Sequence, residues 1–399
     1  LSIEPRTPLW WRATLALSLG SFLIFVNLYA IQPLMPRVGE ELALSSLQAS
    51  WLLSVSTLTL ALALLIFGPL SDAIGRRALM LITMALATVC TLMISLAPGY
   101  ASLLALRALQ GFLLGGLPAV AVAWMGDEFT RPALTMAVGL YISGNSLGGI
   151  SGRVIGGAVG GVWGWRTSFV VVGLLSIVAW LVFYWLLPRQ QSFVPQSLNL
   201  KRMGGDLKGH LRNRMLLGAY LIGGLNFFIF VNLYSYITFR LSAPPFGLAT
   251  QWLGLLFLTY LGGTIGSAFS GRLTGRLSQP AVMMAGIVLL MIGTLITLSS
   301  SIIFIIMGLC CNAFGFFMCH SMASSWVGRQ AVGARASASS LYLMFYYLGA
   351  SLGGFYLEPF WRMANWPGVV AAALIVLCIT LCLAALLRRL ERRQLMQQE

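Results

Sequence analysis

The sequence predicts an all-α membrane protein of twelve transmembrane helices, arranged as two pseudo-symmetric six-helix bundles. Three observations predict it. Hydrophobic residues make up 58% of 399 positions and charged residues only 9%, whereas about a quarter of a soluble domain is charged. Apolar runs of about 20 residues, the length that crosses a bilayer core, recur along the whole chain. The two halves also repeat each other in order.

The runs lie at roughly 11–34, 49–70, 78–97, 101–125, 133–158, 167–187, 215–239, 251–271, 280–299, 301–326, 337–357 and 367–387. The first is too long for a cleavable signal peptide. Connections are short except for a polar stretch at 189–214, which holds Arg189, Lys201, Arg202, Asp206, Lys208, Arg212 and Arg214. It is expected to be a cytoplasmic linker between a bundle at 1–188 and a second at 215–399, which ends in a short basic tail. The cysteines Cys90, Cys310, Cys311, Cys319, Cys378 and Cys382 all lie in apolar runs and read as reduced, buried small hydrophobes. No metal or cofactor is expected.

The formal charge of +15 does not point to nucleic acid, because the basic residues flank apolar runs instead of forming one face. Of the 25 Lys and Arg residues, all fall on one side of the membrane except Arg37, Arg166, Arg240 and Arg362 opposite, and Arg107 and Arg153 within spans. That bias predicts that both termini lie in the cytoplasm; the expected location is a bacterial-type inner membrane.

The repeat shows in Phe25-Val26-Asn27-Leu28-Tyr29, which recurs as Phe230-Val231-Asn232-Leu233-Tyr234. Leu140-Tyr141, Gly148, Gly152 and Trp165 are matched by Leu341-Tyr342, Gly349, Gly353 and Trp366, and Trp124 and Gly126 by Trp326 and Gly328. Similar bundles rocking about a shared site is the physical reading. In span 5, Gly144, Gly148, Gly152, Gly156, Gly160 and Gly164 recur every four residues and give one helix face a smooth groove. Such a groove packs closely on a neighbour, and in a rocking protein it can also slide. Span 8 offers a counterpart in Gly262, Gly266 and Ser270, or in Gly263, Ser267 and Gly271.

Gly68-Pro69-Leu70-Ser71-Asp72-Ala73-Ile74-Gly75-Arg76-Arg77 joins spans 2 and 3, and Gly271-Arg272-Leu273-Thr274-Gly275-Arg276 is a weaker copy between spans 8 and 9. The first resembles motif A of the major facilitator superfamily. Tyr29 to Pro36 resembles the proline-ended first helix of drug-exporter-like members, and Arg107-Ala108-Leu109-Gln110-Gly111 resembles motif B. Gly148 to Gly157 resembles motif C, with Arg153 where that motif has proline; this form is more like the YnfM-like branch. The resemblance implies a secondary transporter working by alternating access, not an enzyme. It implies a monomer in the lipid bilayer that moves a small-molecule substrate, coupled to protons. Efflux of small organic compounds is the leading expectation, uptake of an anionic metabolite the alternative, and a non-transporting sensor the third. The resemblance also implies a cytoplasmic gate at Gly68, Asp72, Gly75 and Arg76, with Asp127, Glu128 and Arg335 as latch partners; solvated loop charges are the other reading for Asp127, Glu128 and Arg131.

A charge inside a span is costly unless it faces a cavity or a partner, so Arg107 and Arg153 are candidate substrate contacts that favour an anionic or zwitterionic ligand. Arg107 can instead be a carbonyl-bonded structural residue, and Arg153 can sit at a helix seam or reach the outer surface. Gln110 shares the Arg107 face. Asn27, Tyr29, Gln32, Tyr141, Asn145, Asn226, Asn232, Tyr236, Tyr260, Asn312, Tyr342, Tyr346 and Tyr347 are further polar or aromatic mid-span positions that line a cavity or join helices. No acid other than Glu358 lies near a span in a suggestive place, so Glu358 and His320 are the proton-coupling candidates, with a hydrogen-bonded core histidine as the alternative for His320.

Overall fold

The computed structural model describes residues 2–273 and 276–399, apart from the side chains of Thr135 and Arg335. Thr274, Gly275 and the Arg335 latch side chain therefore lie outside the described residues. The fold is helical: α1 (Pro8–Tyr29), a 3-10 turn (Gln32–Leu34), α2 (Met35–Glu41), α3 (Ser46–Ile74), α4 (Arg76–Ile94), α5 (Tyr100–Leu114), α6 (Gly116–Glu128), α7 (Arg131–Trp163), α8 (Trp165–Leu186), α9 (Leu200–Arg212), α10 (Arg214–Ser242), α11 (Thr250–Leu255), a second 3-10 turn (Leu256–Thr259), α12 (Tyr260–Leu273), α13 (Gln279–Ile296), α14 (Ile302–Gln330) and α15 (Arg335–Gln398).

Ten stretches among the described residues are long and apolar enough to cross a membrane. The last is two helices, because α15 loses helical geometry at Ala364 and Asn365. The 33-residue α7 brings the number to the expected twelve.

Proline chemistry explains two departures from straight spans. Pro33 has no N–H to offer the Tyr29 carbonyl one turn earlier, so the first span stops at Tyr29 and continues as a 3-10 turn and α2. Pro118 does the same to Leu114, and the fourth span divides into α5 and α6 at Gly115. Between α3 and α4, Gly75 takes φ 106°, and between α7 and α8, Gly164 takes φ 94°, a region where a side chain would be strained.

Half of the polar stretch at 189–214 is the helix α9. Asn199 caps it by accepting from the Arg202 N–H at 3.1 Å, and Asn213 ends it while capping α10 through the Met215 N–H at 3.0 Å. The cysteines also divide. Cys90 and Cys319 are buried, whereas Cys378 and Cys382 lie exposed on the outer face of α15, where lipid is the natural solvent.

The chain forms two compact units, one of Leu1–Leu198 with Leu248–Leu255 and the other of Asn199–Gly247 with Leu256–Glu399. In the first, α7 lies along α1. Gly144, Gly148, Gly152 and Gly156 face the main chain of Ser18, Phe22, Val26 and Ala30, and a Cβ at Gly148 would stand 2.5 Å from the Phe22 carbonyl oxygen. Gly157, on an adjacent face of α7, meets Gly254 of α11. The span-8 glycines pack against α14: Gly262 and Gly266 face the Cys310 and Phe314 main chain, and Gly263 faces Phe317. In the second unit Gly349 and Gly353 meet the carbonyls of Gly224 and Phe228 on α10. By this duplicated packing Phe22 is the equivalent of Gly224, and Val26 of Phe228. Hence the two Phe-Val-Asn-Leu-Tyr segments sit three residues out of register, although their sequences are identical.

Candidate functional site

The first unit holds two buried polar clusters. Arg107, with no solvent exposure, donates from Nε to the Leu52 carbonyl at 2.9 Å, from Nη1 to the Asn27 carbonyl at 3.1 Å, and from Nη2 to the Leu28 carbonyl at 2.8 Å. Those last two carbonyls lie at the C-terminal end of α1, where the helix has lost donors and carries a partial negative charge. Nη1 also donates to Gln110 Oε1 at 2.6 Å. From there the donors run one way. Gln110 Nε2 donates to Thr91 Oγ1 at 2.8 Å, Thr91 to Asn27 Oδ1 at 2.6 Å, Asn27 Nδ2 to Ser176 Oγ at 2.9 Å, and Ser176 to the Val172 carbonyl at 2.7 Å. Five helices contribute, and each bond polarises the next. No carboxylate stands within ion-pair distance of Arg107 among the described residues.

Arg153 lies further along α7. Its Nε donates to Gln32 Oε1 at 2.8 Å, and its guanidinium sits 4.0 Å from the centre of the Tyr29 ring. Gln32 projects from the 3-10 turn that follows the proline-broken α1, so the break positions the partner. The Ser21 hydroxyl donates to Asn145 Oδ1 and also bonds Tyr141.

The second unit repeats one part of this arrangement. Asn312 Nδ2 donates to Thr294 Oγ1 at 2.8 Å, as Gln110 does to Thr91. Leu309 takes the place of Arg107 three residues earlier, so the Asn312 Oδ1 atom receives no donor. Asn232 Nδ2 bonds the Phe228 and Ala350 carbonyls at 3.0 and 2.8 Å, and Asn226 bonds the Cys319 sulfur at 3.3 Å. Tyr236 donates to Glu358 Oε2, while Arg362 Nε reaches Glu358 Oε1 at 3.1 Å. Glu358 is 3% exposed; the Arg362 side chain is 65% exposed. His320 Nδ1 lies 2.8 Å from the Tyr342 hydroxyl and its ring stacks on Tyr346 at 4.6 Å. Tyr346 stacks in turn on Phe227 at 3.7 Å, and Phe230 on Phe316 at 4.0 Å. Tyr347 and Tyr260 join this aromatic wall edge-on.

At the turn after Gly68, Arg76 pairs with Asp72 at 2.8 Å and with Asp127 at 2.6 Å. Glu128 is buried and turned elsewhere: its Oε1 accepts the main-chain N–H groups of Gln191 and Ser192, both at 3.0 Å. Gln190 Oε1 accepts the N–H groups of Arg76 and Arg77 at 3.0 Å, closing the N-terminus of α4.

Arg107, Gln110 and Asn27 thus come together, as do Arg153 and Gln32, and Tyr141 and Asn145. Asn232, Asn312, Tyr236 and Tyr346 each join a different group in the other unit. Thr91, Thr294, Ser176 and Gln190 escaped the sequence reading. The first two carry a legible signal, since they stand a repeat apart, as Gln110 and Asn312 do. Gln190 carries none, because its role depends on how the segment after α8 folds back.

Comparisons with known proteins agree with this architecture. The family model for the Major Facilitator Superfamily matches residues 17–354. The chain is 38% identical over 387 residues to the uncharacterized MFS-type transporter YybF of Bacillus subtilis (strain 168), covering 97% of this chain and 96% of that protein. It is 38% identical over 387 residues to the inner membrane transport protein YnfM of Escherichia coli (strain K12), covering 97% and 93%. Among solved structures, a bacterial homolog of the human lysosomal transporter Spinster superposes with a TM-score of 0.79 at 18% identity, covering 96% of this chain and 98% of that one. The chain therefore belongs to the major facilitator superfamily and is a multi-pass membrane transporter.

Proposed function

We propose that the protein is a proton-linked secondary transporter that exports small organic compounds across the inner membrane by alternating access, with both termini in the cytoplasm. The observation that supports proton linkage is Glu358, a carboxylate buried in a membrane-spanning helix, bonded to Tyr236 and joined to the exposed Arg362. Protonation removes a charge that the bilayer interior disfavours, so such a group can carry a proton between two accessible states. His320, held by Tyr342, is the second titratable candidate. Export rests on the exporter-like first helix and motif B.

The aromatic wall around Tyr346 and His320 suits flat or amphipathic molecules held by stacking and hydrogen bonds. Four Arg107 N–H groups already donate within the protein. Its charge therefore acts on a substrate as a field and not as a direct contact.

Proteoliposomes under an imposed pH gradient test the reading. Substrate should leave against an inward proton gradient, and Glu358→Gln should abolish gradient-driven flux while leaving substrate exchange. Full gradient-driven flux in that variant would sink the proton role. Uptake of an anionic metabolite is the second reading, favoured by Arg107, which lacks a carboxylate partner among the described residues. Accumulation with the proton gradient would select it.

A further inference from the structure

The second unit carries a polar surface that the transport reading leaves without a role. Helix α9 places Leu200, Met203, Leu207 and Leu211 on one arc and Lys201, Lys208 and Arg212 on the adjoining arc. The helix is not free to turn. His210, 5% exposed, has its Nε2 2.9 Å from Ser337 Oγ and 3.2 Å from the Ala334 carbonyl. This pins one side of α9 to the start of α15. Leu200, 75% exposed, and Leu211 are left outward together with Lys201, Lys208 and Arg212.

The position of this face says what covers it. Only Asn213 separates α9 from the membrane-spanning α10, so its exposed leucines stand where the span leaves the bilayer. The end of α15 lies at the same place, because Leu387 packs on Gly218 in the first turns of α10. It adds Arg389, Arg392 and Arg393, all exposed, with exposed Leu395 and Met396 beyond them. The acids of α9 and of the end of α15 turn the other way: Asp206 is half-buried and Glu391 is buried, with Glu399 exposed just past the helix.

We propose that α9 and the end of α15 form a docking surface for the anionic headgroups of membrane phospholipids. Exposed leucines enter the headgroup boundary while the flanking Lys and Arg side chains meet lipid phosphate. That is the physical signature of an interfacial amphipathic helix.

Hydrogen exchange on the full-length protein tests this, in nanodiscs of phosphatidylcholine alone and of phosphatidylcholine mixed with phosphatidylglycerol. The anionic lipid should slow exchange at 200–212 by about fivefold or more, the equivalent of one Lys or Arg held at an anionic surface. High salt should reverse the effect. The K201Q/K208Q/R212Q variant, whose thermal unfolding should match the parent because all three side chains are exposed, should lose the effect, and L200S/L211S should weaken it. Equal exchange in the two bilayers, or undiminished slowing in the triple variant, overturns the proposal.

Discussion

Arg107 donates to the carbonyl of Leu28 at 2.8 Å, tying the fifth helix to the broken end of the first. The contact joins a buried cation to the negative end of a helix that Pro33 has cut short. Both partners gain from it. The carbonyl regains a donor, and the guanidinium obtains in the bilayer interior what water would otherwise provide.

Replacing that arginine should therefore damage the fold before it alters substrate choice. Arg107→Ala leaves the carbonyls of Asn27, Leu28 and Leu52 and the Gln110 amide oxygen without their donor, and each stranded group costs about 1–3 kcal/mol. The thermal unfolding midpoint of the purified protein should fall further than for any other variant considered below. Arg107→Lys should recover only part of it, because an ammonium brings three donors to four acceptors and lacks the planar fork that reaches them. An unchanged midpoint in the alanine variant would remove this account.

The groove between α1 and α7 makes a sharper steric prediction. Gly148→Ala drives a Cβ to 2.5 Å from the Phe22 carbonyl oxygen, and such overpacking costs about 1–3 kcal/mol. Gly139→Ala, on the same helix with open space around it, should be neutral or stabilise by up to about 1 kcal/mol. Unfolding midpoints of the two variants should move in opposite directions or differ clearly.

The duplicated threonines should not be equivalent. The Thr91 hydroxyl accepts from Gln110 and donates to Asn27, whereas Thr294 accepts from Asn312 and donates within its own helix to Leu290. Thr91→Val strands two side chains on other helices and Thr294→Val strands one. The first should be the more destabilising by about 1 kcal/mol, measured as the difference between the two unfolding midpoints.

At the α3–α4 turn, Asp127 reaches Arg76 from α6, while Asp72 is its neighbour four residues earlier. Asp127→Asn should loosen the turn more than Asp72→Asn, since Asp72 joins α3 to α4, which the turn already holds together, whereas Asp127 ties α4 to the sequence-distant α6. Pairs this accessible contribute only about 0.2–1 kcal/mol. The readout is faster hydrogen exchange at residues 72–78, with a gap between the variants that shrinks at high salt. Equal exchange in both would show that Asp127 contributes nothing beyond its neighbour.

Which features could be read from the sequence follows from their range. The twelve spans are legible because lipid forces backbone polar groups to pair within a segment, so each helix declares itself in local composition. The breaks at Pro33 and Pro118 are equally local. Helix α9 was hidden by its polarity and by Gly204, Gly205 and Gly209, which argue against a helix. The repeat was visible but misleading in one place: the matching Phe-Val-Asn-Leu-Tyr segments drew Asn27 and Asn232 together, although packing against α7 and α15 sets a register three residues away.

The sequence by itself determined the class, the span count, the family and the residue types that sit inside the membrane, because hydrophobicity and the absence of charge act residue by residue. Only the tertiary structure decided what those residues hold. Arg107 meets the end of α1, Arg153 meets Gln32 and Tyr29, Glu358 meets Tyr236, and Glu128 turns to the segment after α8. Each pairing depends on how helices distant in the chain rotate against one another, and that rotation is chosen by close packing at glycine faces and by the need of every buried donor to find an acceptor.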